Sequence, residues 1–174
     1  MLKFAALALA AATASAPTAL VSQSSWWEKI TVVVNDDGDA QSCTYESSLR
    51  NAPTDACQVV ADTPSVNAAS AGGSPDEFTR ITFERRFTPS GVQPQRQDLH
   101  PGDTLLGGQI LALAIDGAGS VNSCKVVATS GEMTPDYGCN EATKERFETS
   151  RASGSEAQVS FMTIMVYGHN EHVA

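Results

Sequence analysis

The stretch SCKVVATSGEMTPDYGC, residues 123–139, has an echo in SCTYESSLRNAPTDAC, residues 42–57. In each, a Ser-Cys pair is answered by a second cysteine, 14 residues after the first in one copy and 15 in the other, beyond a Pro and an Asp. The chain has 4 cysteines, and these two stretches contain all of them. A feature repeated at one spacing calls for a search for a repeated unit before any element is read singly.

Aligning the Ser-Cys pairs brings their surroundings into register. VVVNDDGDAQSC (32–43) falls on LAIDGAGSVNSC (113–124), with Gly38 on Gly119 and Asn35 on Asp116. Each copy opens with a β-rich run, 30–34 or 110–115, followed by a Gly/Asp-rich turn and a second run holding the first cysteine; this is a hairpin signature. The turns NDDGD and DGAGS carry carboxylates but lack the order and the distant Glu of a calcium loop, so they read as turn chemistry. In the second copy Thr134 as N-cap, Pro135 at the first helical position and Asp136 beside it predict a helix start. Cys139, Ala142 and Thr143 would share one face of that helix. A shorter helix is expected over residues 54–61. Each copy closes with a strand, 78–87 (FTRITFERRF) or 157–167 (AQVSFMTIMVY).

The expected fold is therefore α+β: two repeated β-β-α-β units, residues 29–87 and 109–168, joined by a Pro/Gly-rich linker, 88–108, and ending in a tail, 169–174. The two units could form separate domains or share one sheet. Placing one cysteine of each pair on the second strand and the other on the helix predicts the disulfides Cys43 to Cys57 and Cys124 to Cys139. Each closes a loop of about 15 residues, worth roughly 3 kcal/mol in the chain-entropy model.

Composition narrows the setting. Residues 1–16, with an early Lys and an Ala-rich apolar run, read as a secretory signal, and no later segment is long and apolar enough to span a membrane. Export and an even cysteine count together predict a periplasmic or secreted, disulfide-bonded protein. A net charge of -9, with no basic run, argues against nucleic acid as a partner and would mildly steer cationic ones.

GSVNSCKVVATSGEMTPDYGCNEATKERF (119–147) resembles the C-terminal domain of TonB-type periplasmic proteins, in particular its cysteine-containing variants. The likeness rests on Gly119 and Val121 entering the second strand, Ser130-Gly131 after it, a helix opening near Asp136, Phe147 at its end, and the positions of Cys124 and Cys139. It covers about 109–168 and, through the duplication, more weakly 29–87. The resemblance implies peptide recognition by strand addition to a sheet edge. The expected partner is a segment of an envelope or outer-membrane protein. The long spacer and anchor of energy-transducing members have no counterpart, so binding without energy transduction is expected. The final strand is the expected edge, with Phe161, Thr163, Met165 and Tyr167 as partner-binding residues.

No nucleophile elbow, P-loop, dinucleotide fingerprint or zinc-protease helix occurs, and no cofactor or metal is expected. His169 and His172, with Glu171, read as a polar tail and not as a metal site. Trp26 and Trp27 are expected to cap the core ahead of the first strand. Two alternatives compete with partner binding. One is a small exported hydrolase, which a cleft joining His100 to His169 would favour; the other is a structural envelope component with no separable ligand.

Overall fold

The structure is a computed structural model that describes residues 19–35, 40–50, 57, 78–95 and 97–170. The expected signal, most of the first-copy helix and residues 171–174, including His172, lie outside the described residues. The elements in chain order are β1 (Leu20–Val21), β2 (Trp26–Val34), β3 (Ala40–Ser47), β4 (Arg80–Thr88), β5 (Asp103–Ile115), β6 (Val121–Gly131), α1 (Cys139–Ala142), β7 (Phe147–Glu148) and β8 (Gln158–His169). Strands β2 to β6 and β8 form one antiparallel sheet in the order β3-β2-β4-β8-β5-β6, while β1 pairs in parallel with β7.

The duplication is written into this sheet. The first unit has the order β3-β2-β4 and the second β6-β5-β8, and the two join through β4 and β8. Val32 pairs with Cys43 in one unit, and Leu113, its aligned residue, pairs with Cys124 in the other. Both hairpins carry a register shift before their last pair, Val34 with Ala40 and Ile115 with Val121. The copies thus share one sheet, and residues 103–108, expected as linker, belong to β5. His169, expected in the tail, is the last residue of β8 and pairs with both Arg80 and Asp103.

The α+β expectation is corrected. Among the described residues 56% are strand and 4% helix, with no helix of seven or more residues. In the second copy the predicted start at Thr134 to Asp136 stays non-helical, and α1 is a single turn. Gly138 is fully extended, with φ -140° and ψ -161°, and its N–H donates to the Glu141 carboxylate at 3.0 Å. Just before it, Gln109 in β5 donates to the Tyr137 carbonyl. Four residues after α1 the chain must be extended again, because Phe147 lies in β7. Asn140 and Thr143 add little helical propensity to offset these anchors.

The turn before β6 holds by local hydrogen bonds. The Asp116 carboxylate accepts the N–H groups of Ala118 and Ser120, both at 2.9 Å, which lowers its pKa. Gly119 has φ +78°, and a Cβ there would meet the Phe147 carbonyl oxygen at 1.8 Å, so the turn requires glycine.

One face of the sheet carries the core. Trp26, Phe87, Leu111, Leu113, Ile115 and Met162 lie under Ala142 and Phe147, with Leu20 and Val21 packed against them. Trp26 stacks on Phe87 at 5.6 Å between ring centroids, and its indole N–H donates to the Val21 carbonyl at 2.8 Å. Trp26 therefore belongs to β2 and the core, while Trp27 points to the other face with Lys29 5.8 Å over its ring. A second cluster, Val32, Val34, Phe78, Ile81, Leu106 and Val166, continues the core under the first unit.

Candidate binding surface

Both disulfides form as the spacing predicts, Cys43 to Cys57 and Cys124 to Cys139, with Cα separations of 5.8 and 5.5 Å. They tie the strands β3 and β6 to the segments that follow them. Paired disulfides fit an exported protein, and among the described residues no helix is long and apolar enough to cross a membrane.

The expected edge strand is an interior one. β8 is hydrogen-bonded along β4 on one side and along β5 on the other, so Phe161, Thr163, Met165 and Tyr167 present no free main-chain groups to a partner strand. Among the described residues the outermost strands of the sheet are β3 and β6. β6 runs for 11 residues and is exposed along nearly its whole length, with Val126 and Val127 42% and 49% accessible. It pairs with β5, and none of the described residues pairs with its outer side.

The four displaced residues share the open face of the sheet, opposite the core. Rows across this face run Trp27, Arg86, Thr163, Ile110, Ala128 and Lys29, Glu84, Met165, Gly108, Ser130. A third row runs Thr31, Thr82, Tyr167, Leu105. The linker lies over the β8, β5 and β6 part of this face, and Pro94 and Leu99 close a groove of about 750 Å³ with Leu105, Ile110, Met165 and Thr163. Its rim on β6 is made of the small residues Ala128, Thr129 and Ser130, and among the described residues Asp98 is the one charged residue that lines it. The side-chain oxygen of Gln97, also in the lining, is buried without a hydrogen-bond partner.

Beside it is a second cleft of about 220 Å³ that brings His100 and His169 together with Asp103, Tyr167, Lys29 and Arg80. His169 Nδ1 lies 2.8 Å from Asp103 Oδ1, and the other Asp103 oxygen accepts the His100 backbone N–H at 3.1 Å. Two acids already occupy groups here: Lys29 pairs with Glu46 at 2.7 Å, and Glu84 pairs with Arg86 and accepts the Tyr167 hydroxyl at 3.2 Å. Among the described residues no group of three His, Cys, Asp or Glu side chains could hold a metal ion.

On the core face, Arg85 ties the two units together. Its guanidinium pairs with Glu28 of β2 and with Glu145, which follows α1. It also lies 5.3 Å from the Trp26 ring centroid and 5.1 Å from that of Tyr137. Burial alone would lower the Arg85 pKa, but Glu145 and Glu28 outweigh it and raise it further above its ordinary value. Tyr45 donates to Glu28 at 2.8 Å. Sequence reasoning left Arg85 unremarked because its partners are 57 and 60 residues away in the chain.

All three tyrosines of the chain are held protonated, each chiefly by burial. Tyr45 is pushed up to about 12, and Tyr137 and Tyr167 are raised further, beside Glu145 and Glu84 respectively. The folded chain keeps these protons more tightly than the unfolded one, where phenols titrate near 10. Their stabilising contribution is complete below about pH 10 and is lost as pH rises through 12 and beyond. Absorbance at 295 nm is expected to show no phenolate at pH 10.5 and a cooperative rise on alkaline unfolding; gradual, reversible ionisation near pH 10 would contradict these environments.

Comparison with models of protein families, with curated proteins and with solved structures finds no match.

Proposed function

We propose that the chain is an exported, non-enzymatic binding module that captures an extended segment of an envelope or outer-membrane protein by adding it as a seventh strand beside β6. The observation that carries this reading is the outer side of β6, which is long, exposed, at the end of the sheet and paired with none of the described residues. Strand addition takes its affinity from such main-chain groups and its selectivity from alternate side chains. β6 is favoured over β3 because residues 132–150, which follow it, are all described and leave its outer side unpaired. The resemblance of residues 109–168 to TonB C-terminal domains belongs to the same proposal, as does a periplasmic location.

A photo-crosslinker placed at Val126 or Thr129 is expected to give a discrete partner adduct in the native envelope. The same probe at Thr163, on interior β8, is expected to give none or far less. No adduct from either β6 position, or an equal one from Thr163, would overturn the edge reading.

One observation favours a second reading, a small hydrolase: the cleft does join His100 to His169, and His169 is oriented by a carboxylate. With Nδ1 donating to Asp103, Nε2 would be free to accept a proton. Turnover of simple carboxylate or phosphate esters that is abolished by His169→Gln would support it, and identical rates for the variant would dismiss it.

A further inference from the structure

We propose that, while no partner segment is bound, the outer side of β6 pairs weakly with β6 of a second copy of this chain, antiparallel and centred on Thr129. This inference rests on the edge reading, because both occupants use the same main-chain groups, and it describes what holds that edge between encounters. An outermost strand is a template for any further strand, and proteins that stay monomeric usually guard it with several charges or a proline. β6 has no proline and a single charged residue, Lys125, along 11 residues. Among the described residues four large hydrophobic side chains are exposed, and two of them, Val126 and Val127, are on this strand.

The charges of the strand favour one arrangement. Lys125 and Glu132, which directly follows β6, are both exposed and lie toward opposite ends of the edge. Antiparallel self-pairing brings Lys125 of each copy to the place where Glu132 of the other leaves its strand. Parallel pairing in register would set Lys125 beside Lys125. The bulge fixes the centre: Val127 is the extra residue between the pairs Val126 with Leu111 and Ala128 with Ile110, and pairing is regular from Ala128 to Ser130. A two-fold axis at Thr129 sets Thr129 opposite its own copy and Ala128 opposite Ser130, so no bulky groups collide. Val126 and Val127 together then face Gly131, which brings Lys125 level with Glu132. Threonine pairs and opposite charges across strands are favourable, whereas like charges directly opposite are not. The contact remains weak. It involves far fewer than the roughly 20–30 residues a side of a standard interface, and the net charge of -9 on each copy opposes approach. Dilution or a better-matched partner therefore frees the edge.

Sedimentation equilibrium of the purified protein over a concentration series tests this, together with hydrogen exchange of β6 at the two ends of the series. Dimers are expected toward millimolar concentration, with the outward amides of β6 open in dilute solution and protected in the concentrated one. Lys125→Glu and Glu132→Lys are each expected to weaken association about 10-fold, because two facing pairs per dimer change sign. The double variant is expected to restore it. Under mild oxidation Thr129→Cys should give a covalent dimer, and Thr163→Cys on interior β8 should not. A chain that stays monomeric at every concentration, or a dimer whose affinity ignores all three charge variants, would overturn the self-pairing and leave the edge reading standing. Protection of the outward β6 amides already in the dilute monomer would overturn both, since the edge would then be covered within the chain.

Discussion

Arg85→Met is expected to lower the unfolding free energy by about 3–5 kcal/mol, because it leaves two acids buried without their cation. The side chains of Glu28 and Glu145 are only 10% and 21% accessible, and both face Arg85 from different units of the repeat. Their attraction to Arg85 is what offsets the cost of desolvating them. The expected size is well above that of an exposed pair such as Lys29 with Glu46, about 0–1 kcal/mol. Removing the whole set distinguishes a broken network from lost packing. The triple variant Arg85→Met, Glu28→Leu, Glu145→Leu is expected to recover most of the loss, since well-packed apolar residues often replace a buried ion set at little cost. Urea denaturation of both variants measures this. A single variant within about 1 kcal/mol of the parent would show that the network does not join the units.

Reduction of both disulfides is expected to remove about 6 kcal/mol, roughly 3 kcal/mol for each loop of 14 or 15 residues. Since domains of this size have about 5–15 kcal/mol in total, the reduced chain should be close to its unfolding limit. The bond to Cys139 has a local role as well. α1 is one turn long, too short to persist by its own hydrogen bonds, and it is fixed to β6 through Cys124. Cys124→Ser with Cys139→Ser should therefore release the segment that carries Ala142 and Glu145, loosening Arg85 in turn. Thermal unfolding with and without reductant reads the global effect. A midpoint shift below a few degrees on full reduction would contradict it.

The strands and their hairpins were legible because each depends on local pattern: period-two alternation, a Gly/Asp turn, and a cysteine at a fixed offset. The same locality made the disulfide pairing readable. The helices were not, because Pro135-Asp136 is a sound start signal that tertiary anchors override, with Tyr137 drawn against Arg85 and Gly138 extended. The edge was misplaced for a related reason. Residues 157–167 are apolar on both faces, which marks a strand flanked on both sides, whereas β3 (AQSCTYES) and β6 (VNSCKVVATSG) carry the polar residues that blunt edge strands. Phe161, Thr163, Met165 and Tyr167 do share one face, as their alternation requires, and Thr163, Met165 and Tyr167 line its two clefts. The clefts themselves were invisible in the sequence. They depend on the path of the linker over the sheet, which brings Gln97, Leu99 and His100 to residues more than 60 positions distant.

The two repeats form one sheet with β8 inside it and β6 at an edge that none of the described residues covers. Native-state hydrogen exchange of the isolated protein, resolved to single amides, tests this most directly. The β4 and β8 amides are expected to be the slowest in the chain. Along β6 alternation is expected, with amides that face β5 protected and those that face outward exchanging orders of magnitude faster. Uniform protection along β6, or fast exchange along one side of β8, would contradict it.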